Sequence, residues 1–384
     1  MMLDEEYEKF GHDVLGPFMN DFTEWLCRGI IEQKADKVFF FSRDGFMMQK
    51  ACCLRQDFVE SGIMHEYAYF SRNSLRRALL WNCSSYQESL QYLSNQRFIS
   101  FAELASYYGI REDEKDKIAN AFGILWNQSF LQSTISRNEK LKKIYNAYKP
   151  QIDALSQQQY NDIILYLNQI GMQGNVAIVD IGWHGAMQYY LEKILQESRI
   201  KAQITGYYIG INVVYPLKGK THGFLFSKEN LKMRKKILCS YGILEKFFQS
   251  LEGSTDNYVN NQGIVSPLLK KYEYEDDLRI QSYIKLLQNG ALRYIKKPSD
   301  VKKDSWKSLI NFGLSPTLKQ LRLFRFFYNM DGEKLYFLPQ KKLHRYRIKE
   351  FLLAFSNSCW KTGFMKAAFK LPLPYFWIYN ILRK

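Results

Sequence analysis

The chain has no apolar run approaching the ~18 residues that a membrane-spanning helix needs. Its opening residues, Met1-Met-Leu-Asp-Glu-Glu-Tyr-Glu, are acidic and lack the apolar core of a secretory signal. Cysteine is scarce and unpatterned. Cys27, Cys52, Cys53, Cys83, Cys239 and Cys359 show no metal-ligand spacing, and most fall in apolar helical contexts, so they read as reduced and buried. There is no zinc motif, Walker loop, six-residue dinucleotide fingerprint or Ser-His-Asp spacing, which takes weight from those enzyme classes. Internal repeats and low-complexity segments are absent as well. The expectation from these absences is a cytoplasmic protein that can attach to the inner face of the membrane.

What is present is globular composition with a skewed charge. At 384 residues the chain can bury one large core, or a domain of about 250 residues with a substantial appendage. Its 16% aromatic content is high, which suits contact with sugars, membranes or nucleic acid. The formal charge is +16, and the stretch from Pro339 to Lys384 carries ten Lys or Arg against the single acid Glu350. Tyr346, Phe351, Phe355, Trp360, Phe364, Phe369, Tyr375, Phe376, Trp377 and Tyr379 are interleaved with those cations. That mixture points to an anionic lipid surface, where cations meet headgroups and aromatics lie at the interface. A nucleic-acid partner is not expected, because no recognised binding module accompanies the charge.

Two segments share one design. Lys37-Val-Phe-Phe-Phe41-Ser42-Arg43-Asp44-Gly45 is an apolar strand that ends in charge and glycine before a helical run from Phe46. Val176-Ala-Ile-Val-Asp180-Ile-Gly182-Trp183-His184-Gly185-Ala186-Met187-Gln188 is another, with Asp180 at the strand's carboxyl end. In open α/β sheets ligands bind at such ends, and a helix start reached through glycine presents free N–H groups to an anion. Gly182 and Gly185 permit close backbone approach, while Ala186, Met187 and Gln188 supply amides at the helix start. A third strand end, after Glu66–Phe70, carries Ser71-Arg72-Asn73-Ser74, in which Ser71 or Asn73 can cap the following helix. Arg43 and Arg72 are the planar donors suited to phosphate, and Asp44 and Asp180 the oxygens suited to Mg²⁺ or sugar hydroxyls. Arg76 and Arg77 read as a solvated helix face. Trp183 and His184 can stack on or hydrogen-bond to a ligand, or simply pack. Glu245, inside the apolar stretch Tyr241-Gly-Ile-Leu-Glu245-Lys-Phe-Phe, is either exposed or a useful buried carboxylate.

Alternation of strands and helices predicts an α/β fold with a mostly parallel, Rossmann-like sheet. The first part of the core is assigned to residues 1–83, with a helical insertion or cap at 84–170 and the second part of the core at 171–265. A helical region follows at 266–338, and the basic aromatic tail occupies 339–384. The helix over Tyr7–Lys34 is expected to be interrupted at Gly16-Pro17.

Taken together, several motifs resemble a family from bacterial surface-polysaccharide gene clusters. These are Phe-Phe-Ser42-Arg43-Asp44-Gly45-Phe, Tyr69-Phe-Ser71-Arg72, Asp180-Ile-Gly182-Trp183-His-Gly185-Ala-Met-Gln188, Gly206-Tyr-Tyr-Ile-Gly210, and Glu245 followed by Glu252-Gly-Ser254. The resemblance covers roughly residues 10–260. That family, often fused to a haloacid-dehalogenase-type phosphatase, is similar to glycan phosphoribosyltransferases. The resemblance implies a phosphoribosyltransferase-like fold and transfer of 5-phosphoribose from phosphoribosyl pyrophosphate to a lipid-linked glycan acceptor, with a separate phosphatase acting on the product. It implies that Arg43 and Arg72 neutralise pyrophosphate and that Asp44 and Asp180 hold Mg²⁺. Asp180 would also fix the ribose, and Gly182 to Gln188 would hold the 5-phosphate. Ser42, Gly45 and Ser71 would complete the substrate site, and Glu245 would take the acceptor's proton. The chain departs from type I phosphoribosyltransferases in having Ile181 after Asp180 and Trp183-His184 in place of a threonine-rich loop. Two other readings stand beside this one. Asp44 could be the nucleophile of a haloacid-dehalogenase-like phosphatase, although Phe46 occupies the position where that chemistry wants a second acid. The chain could also be a non-catalytic, membrane-associated assembly scaffold.

Overall fold

In the computed structural model the described residues are 2–94, 96–298, 304–331 and 333–382. Five strands form the central sheet: β1 (Lys37–Phe41), β2 (Met64–Ala68), β3 (Gly174–Trp183), β4 (Ala202–Ile211) and β5 (Lys220–Phe226). Their spatial order is β2-β1-β3-β4-β5 and every neighbouring pair is parallel. The mostly parallel α/β expectation therefore holds, with β5 (Lys220–Phe226) at one edge of the sheet.

Strand side chains alternate between two faces, and the burial follows that period of two. Val38, Phe40, Ala177, Val179 and Ile181 enter one core, while Phe39, Phe41, Val176 and Ile178 enter the other. Such strands are apolar on both sides because helices cover both. On the first face lie α1 (Gly16–Glu32), α2 (Gly45–Cys52) and the helices of the C-terminal half. On the second lie the insertion, dominated by α4 (Glu139–Gln169), together with α5 (Ala186–Ser198) and the antiparallel hairpin Thr255–Asn261/Ile264–Leu269.

Local details differ from the sequence reading for identifiable reasons. Gly16-Pro17 does not break the N-terminal helix, because the backbone is already helical from Met2 and passes through a π-turn at Gly11–Leu15. Pro17 gives no N–H to the carbonyl one turn back, and the π-turn immediately before it is where the continuous helix departs from the regular hydrogen-bond ladder. The segment after β1 forms two short helices rather than one, α2 and Gln56–Glu60. The insertion also contains a short strand pair, Phe98–Ser100 with Ser129–Leu131. Glu252-Gly-Ser254 leads straight into the hairpin strand Thr255–Asn261. The region from Tyr272 onward is mostly helical but includes the hairpin Tyr328–Asp331/Glu333–Tyr336. Four cysteines are buried, but Cys53 is exposed and Cys359 is half-buried. Among the described residues no helix is long and apolar enough to cross a membrane.

Candidate active site at the sheet switch point

Strands β1 and β3 are hydrogen-bonded neighbours, yet the chain leaves β1 toward β2 on one side and returns through the insertion to β3 on the other. The connections therefore part between β1 and β3, which opens a crevice at the carboxyl ends of the strands. A cavity of about 620 Å³ occupies that crevice. The loop after β1 contributes Ser42, Arg43 and Asp44, the loop after β2 contributes Ser71, Arg72 and Asn73, and the end of β3 contributes Asp180 through Met187. The three strand-end loops singled out in the sequence thus meet in one place.

The loop after Asp180 owes its shape to three left-handed residues. Gly182 has φ +105°, Gly185 has φ +81°, and Trp183 has φ +76° although it carries a side chain. A Cβ on Gly182 would meet the Gly210 carbonyl oxygen at 2.5 Å, so the glycine is required by the neighbouring strand. Trp183 is held in its unfavourable conformation by a 2.8 Å hydrogen bond from Nε1 to Glu245 Oε1 and by stacking on Phe226. Gly185 then begins α5, which has neither a capping side chain nor an acid in its first turn. Its first amides lack intrahelical acceptors and Ala186 and Met187 line the cavity, so this helix end is of the kind that can take an anion.

Four carboxylates, Asp44, Asp180, Glu245 and Glu273, share the cavity wall with Arg43, Arg72 and Lys246. The site is therefore mixed in charge, not simply cationic. Burial drives the Asp44 carboxyl well above its usual range, and the neighbouring charges of Glu245 and Asp180 push it the same way. Burial likewise raises Glu245, against the Trp183 hydrogen bond and the nearby cations. Asp180 is pushed up to about 6 by burial, with the Ile181 and Gly182 amides and Arg72 opposing. Glu273 moves the other way, because Lys246 and Arg43 together outweigh its desolvation. His184 is held below its ordinary value by burial, Arg234 and Arg72, so its imidazole is neutral near pH 7.

The structure changes the role of several residues. Arg43 is not a free phosphate donor. Its Nη1 donates to Glu273 Oε2 at 3.1 Å and to the Glu252 carbonyl at 3.2 Å. Glu273 also pairs with Lys246, so one carboxylate anchors two cations. Arg72, by contrast, is exposed and has no hydrogen-bond or ion-pair partner among the described residues. Ser42 Oγ donates to the Phe70 carbonyl at 2.9 Å and accepts the Phe70 amide at 3.1 Å, tying two loops together. Ser71 caps the helix α3 (Arg72–Arg77) and donates to the Thr255 carbonyl, so both serine hydroxyls are engaged by the fold. Gly45 does not line the cavity: it packs on β1, where an added Cβ would sit 2.7 Å from the Phe40 carbonyl carbon. Gln188 is also outside it, fully buried, accepting from Tyr208 Oη and donating to Glu192. Arg77 is paired with Asp256 and Arg76 lies over Tyr107, so neither belongs to a solvated face.

The sequence reading missed Lys246 and Glu273, and the logic applied to Glu245 could have found the first, since Lys246 sits in the same apolar stretch. Glu273 lies between Tyr272 and Tyr274, both buried, a pattern that carries little signal alone. The far wall comes from Asn329, Met330 and Leu335 of the C-terminal hairpin and from Cys359, for which no local signal exists. No protein-family model matches this chain, and no curated protein matches it in sequence.

The arrangement can accommodate a ligand that is anionic at one end and hydroxylated at the other. Among the described residues no three His, Cys, Asp or Glu side chains gather so as to hold a metal by themselves. Asp44 and Asp180 nevertheless suit Mg²⁺ in donor type, since that ion takes one or two carboxylates and completes its shell with water and substrate phosphates. Their mutual repulsion in a buried setting is what a bound cation relieves.

Proposed function

We propose that this chain is a glycan phosphoribosyltransferase that moves 5-phosphoribose from phosphoribosyl pyrophosphate to a bacterial surface-polysaccharide acceptor. The observation that carries the reading is the meeting of the Arg43-Asp44 loop, Arg72 and the Asp180-to-Met187 loop around one cavity at the switch point of a parallel sheet. The motif resemblance supplies the substrate class. The amides of Ala186 and Met187 at the start of α5 would receive the 5-phosphate, and Asp180 the ribose hydroxyls. Arg72, whose guanidinium has no hydrogen-bond or ion-pair partner among the described residues, would bind the pyrophosphate, while Arg43 and Lys246 act from behind as fixed positive charge. Asp44 and Asp180 would hold Mg²⁺, which when bound supplies charge that offsets the leaving pyrophosphate.

In the transfer, the bond from the anomeric carbon to the pyrophosphate oxygen breaks and its electron pair leaves with pyrophosphate. The acceptor oxygen bonds to that carbon and gives its proton to Glu245. A carboxylate raised by burial is a stronger base than one in water, and the Trp183 hydrogen bond sets its orientation. Positive charge growing on the ribose is stabilised by the same carboxylates. The product keeps its 5-phosphate, which a separate phosphatase would remove.

The test is incubation of the protein with Mg²⁺, ribose-labelled donor and a panel of lipid-linked glycans. Label in the glycan with one pyrophosphate released per transfer is the expected result. Release of orthophosphate instead would favour the phosphatase reading through Asp44, and absence of donor binding would favour the scaffold.

A further inference from the structure

The helix Ile348–Asn357 has no buried residue, although six of its ten residues are apolar. Phe351 and Phe355 turn inward onto Phe364, and Phe351 also meets Phe369. Ile348 and Leu352, one turn apart, face outward with exposures of 81% and 57%, and Leu353 is exposed beside them. The terminal helix Tyr375–Leu382 repeats the design: Tyr375 is buried, whereas Trp377 is 63% exposed and Ile381, four residues on, is exposed too. Phe369, Leu371 and Leu373 add exposed apolar groups between the two helices. Lys342, Arg345, Arg347, Lys349 and Lys370 surround them, and the single acid of the region, Glu350, is already taken by Lys341.

The tail is not a loose appendage. Trp360 is fully buried, donating from Nε1 to the Gly313 carbonyl at 2.9 Å, and Phe364 is buried beside it. These anchors hold the outward-facing residues on the folded body. Strand Glu333–Tyr336 contributes Leu335 to the cavity wall and also packs against the helix Ile348–Asn357. The apolar, basic surface and the rim of the cavity are therefore parts of one continuous structure.

We propose that this face docks on an anionic lipid bilayer and so presents the cavity to an acceptor that is itself held in the membrane. Helices with aliphatic and Trp side chains outward and cations around them fit the headgroup boundary, where apolar burial and attraction to anionic lipid act together. Exposed Ile and Leu argue against a nucleic-acid partner, since aliphatic groups add little to phosphate contact or base stacking. That the surface serves the acceptor rests on the transferase reading; the lipid docking does not.

The experiment is co-sedimentation of the full chain with phosphatidylglycerol-containing vesicles and with pure phosphatidylcholine vesicles, in the absence of any donor. Binding to the anionic vesicles that weakens with salt is expected. In the triple variant Ile348→Glu, Leu352→Glu, Trp377→Glu the vesicle partition should fall by about tenfold or more, with an unchanged circular dichroism melt and unchanged donor binding. A second variant, Lys342→Glu, Arg345→Glu, Lys349→Glu, should lose the preference for anionic lipid. Equal affinity for both vesicle types, no sedimentation, or undiminished binding by the two variants overturns the proposal, as does binding of RNA in place of vesicles. A chain that binds vesicles yet never binds phosphoribosyl pyrophosphate would sink the transferase reading and leave the lipid surface standing.

Discussion

Trp183 Nε1 donates a 2.8 Å hydrogen bond to Glu245 Oε1, joining the loop at the end of β3 to the helix Tyr241–Phe248. The bond does two things at once. It holds a residue with a large side chain in the left-handed region, and it is the chief force keeping the Glu245 pKa from rising further. Trp183→Phe retains the ring for packing on Phe226 but removes the donor. Stability should fall by about 1–2 kcal/mol, and the acid limb of the pH–rate profile should move to higher pH. Denaturant melts and kcat/KM against pH read these two effects; an unmoved acid limb would show that Glu245 is not the titrating base.

Arg72 and Arg43 differ in what they hold, so their alanine variants should separate. Arg72 has no hydrogen-bond or ion-pair partner among the described residues, and Arg72→Ala should change stability by no more than about 0.5 kcal/mol while weakening donor binding by about tenfold or more. Arg43→Ala leaves Glu273 with Lys246 alone in a buried setting and frees the Glu252 carbonyl, so a loss of about 3 kcal/mol is expected. Urea midpoints and calorimetric titration with donor check the contrast. Equal midpoints for the two variants would remove the anchoring role of Glu273.

Asp180 makes stability depend on pH in the sense opposite to most carboxylates. Its folded pKa of about 6 lies above the 3.8 of an unperturbed aspartate, so the folded state binds the proton more tightly. The associated stability is fully present below about pH 4 and is lost as pH rises through about 6, a difference near 3 kcal/mol. Asp44 and Glu245 act in the same direction, whereas the lowered Glu273 contributes stability that is lost only as pH falls through its folded pKa. Asp180→Asn should therefore melt higher than the parent at pH 8 and flatten the slope between pH 4 and 6. A parent whose melting temperature rises through that window, with the variant parallel to it, would contradict this account.

Gly45 follows from packing, not from ligand contact. A methyl group there would lie 2.7 Å from the Phe40 carbonyl carbon, inside the backbone of β1. Gly45→Ala should destabilise the chain by about 2–3 kcal/mol, and donor affinity measured on the folded fraction should be unchanged. A lowered affinity without a lowered melting temperature would return Gly45 to the binding site.

The elements that were legible carry their signals locally. Val38–Phe41 and Val176–Ile181 are short apolar runs punctuated by charge and glycine, and Ser71 precedes its helix with a capping serine three residues before Ser74. Gln188 is less legible: its position in the first turn of α5 suggests an amide for an anion, but the residue does not line the cavity and its side chain is claimed by Tyr208 and Glu192. The basic and aromatic character of the tail is plain in the sequence, yet nothing local distinguishes Trp360, buried against Gly313, from Trp377, exposed on its helix.

The order of apolar, charged and glycine residues along the chain was enough to determine the parallel α/β sheet and the three loops at its strand ends, because periodicity and turn geometry act over a few residues. Which of those charges remain free was decided only by tertiary structure. Arg43 meets Glu273 across 230 positions of chain, and the C-terminal hairpin closes the cavity from the far side. Such pairings depend on how distant segments pack, and burial then sets the charge each group carries.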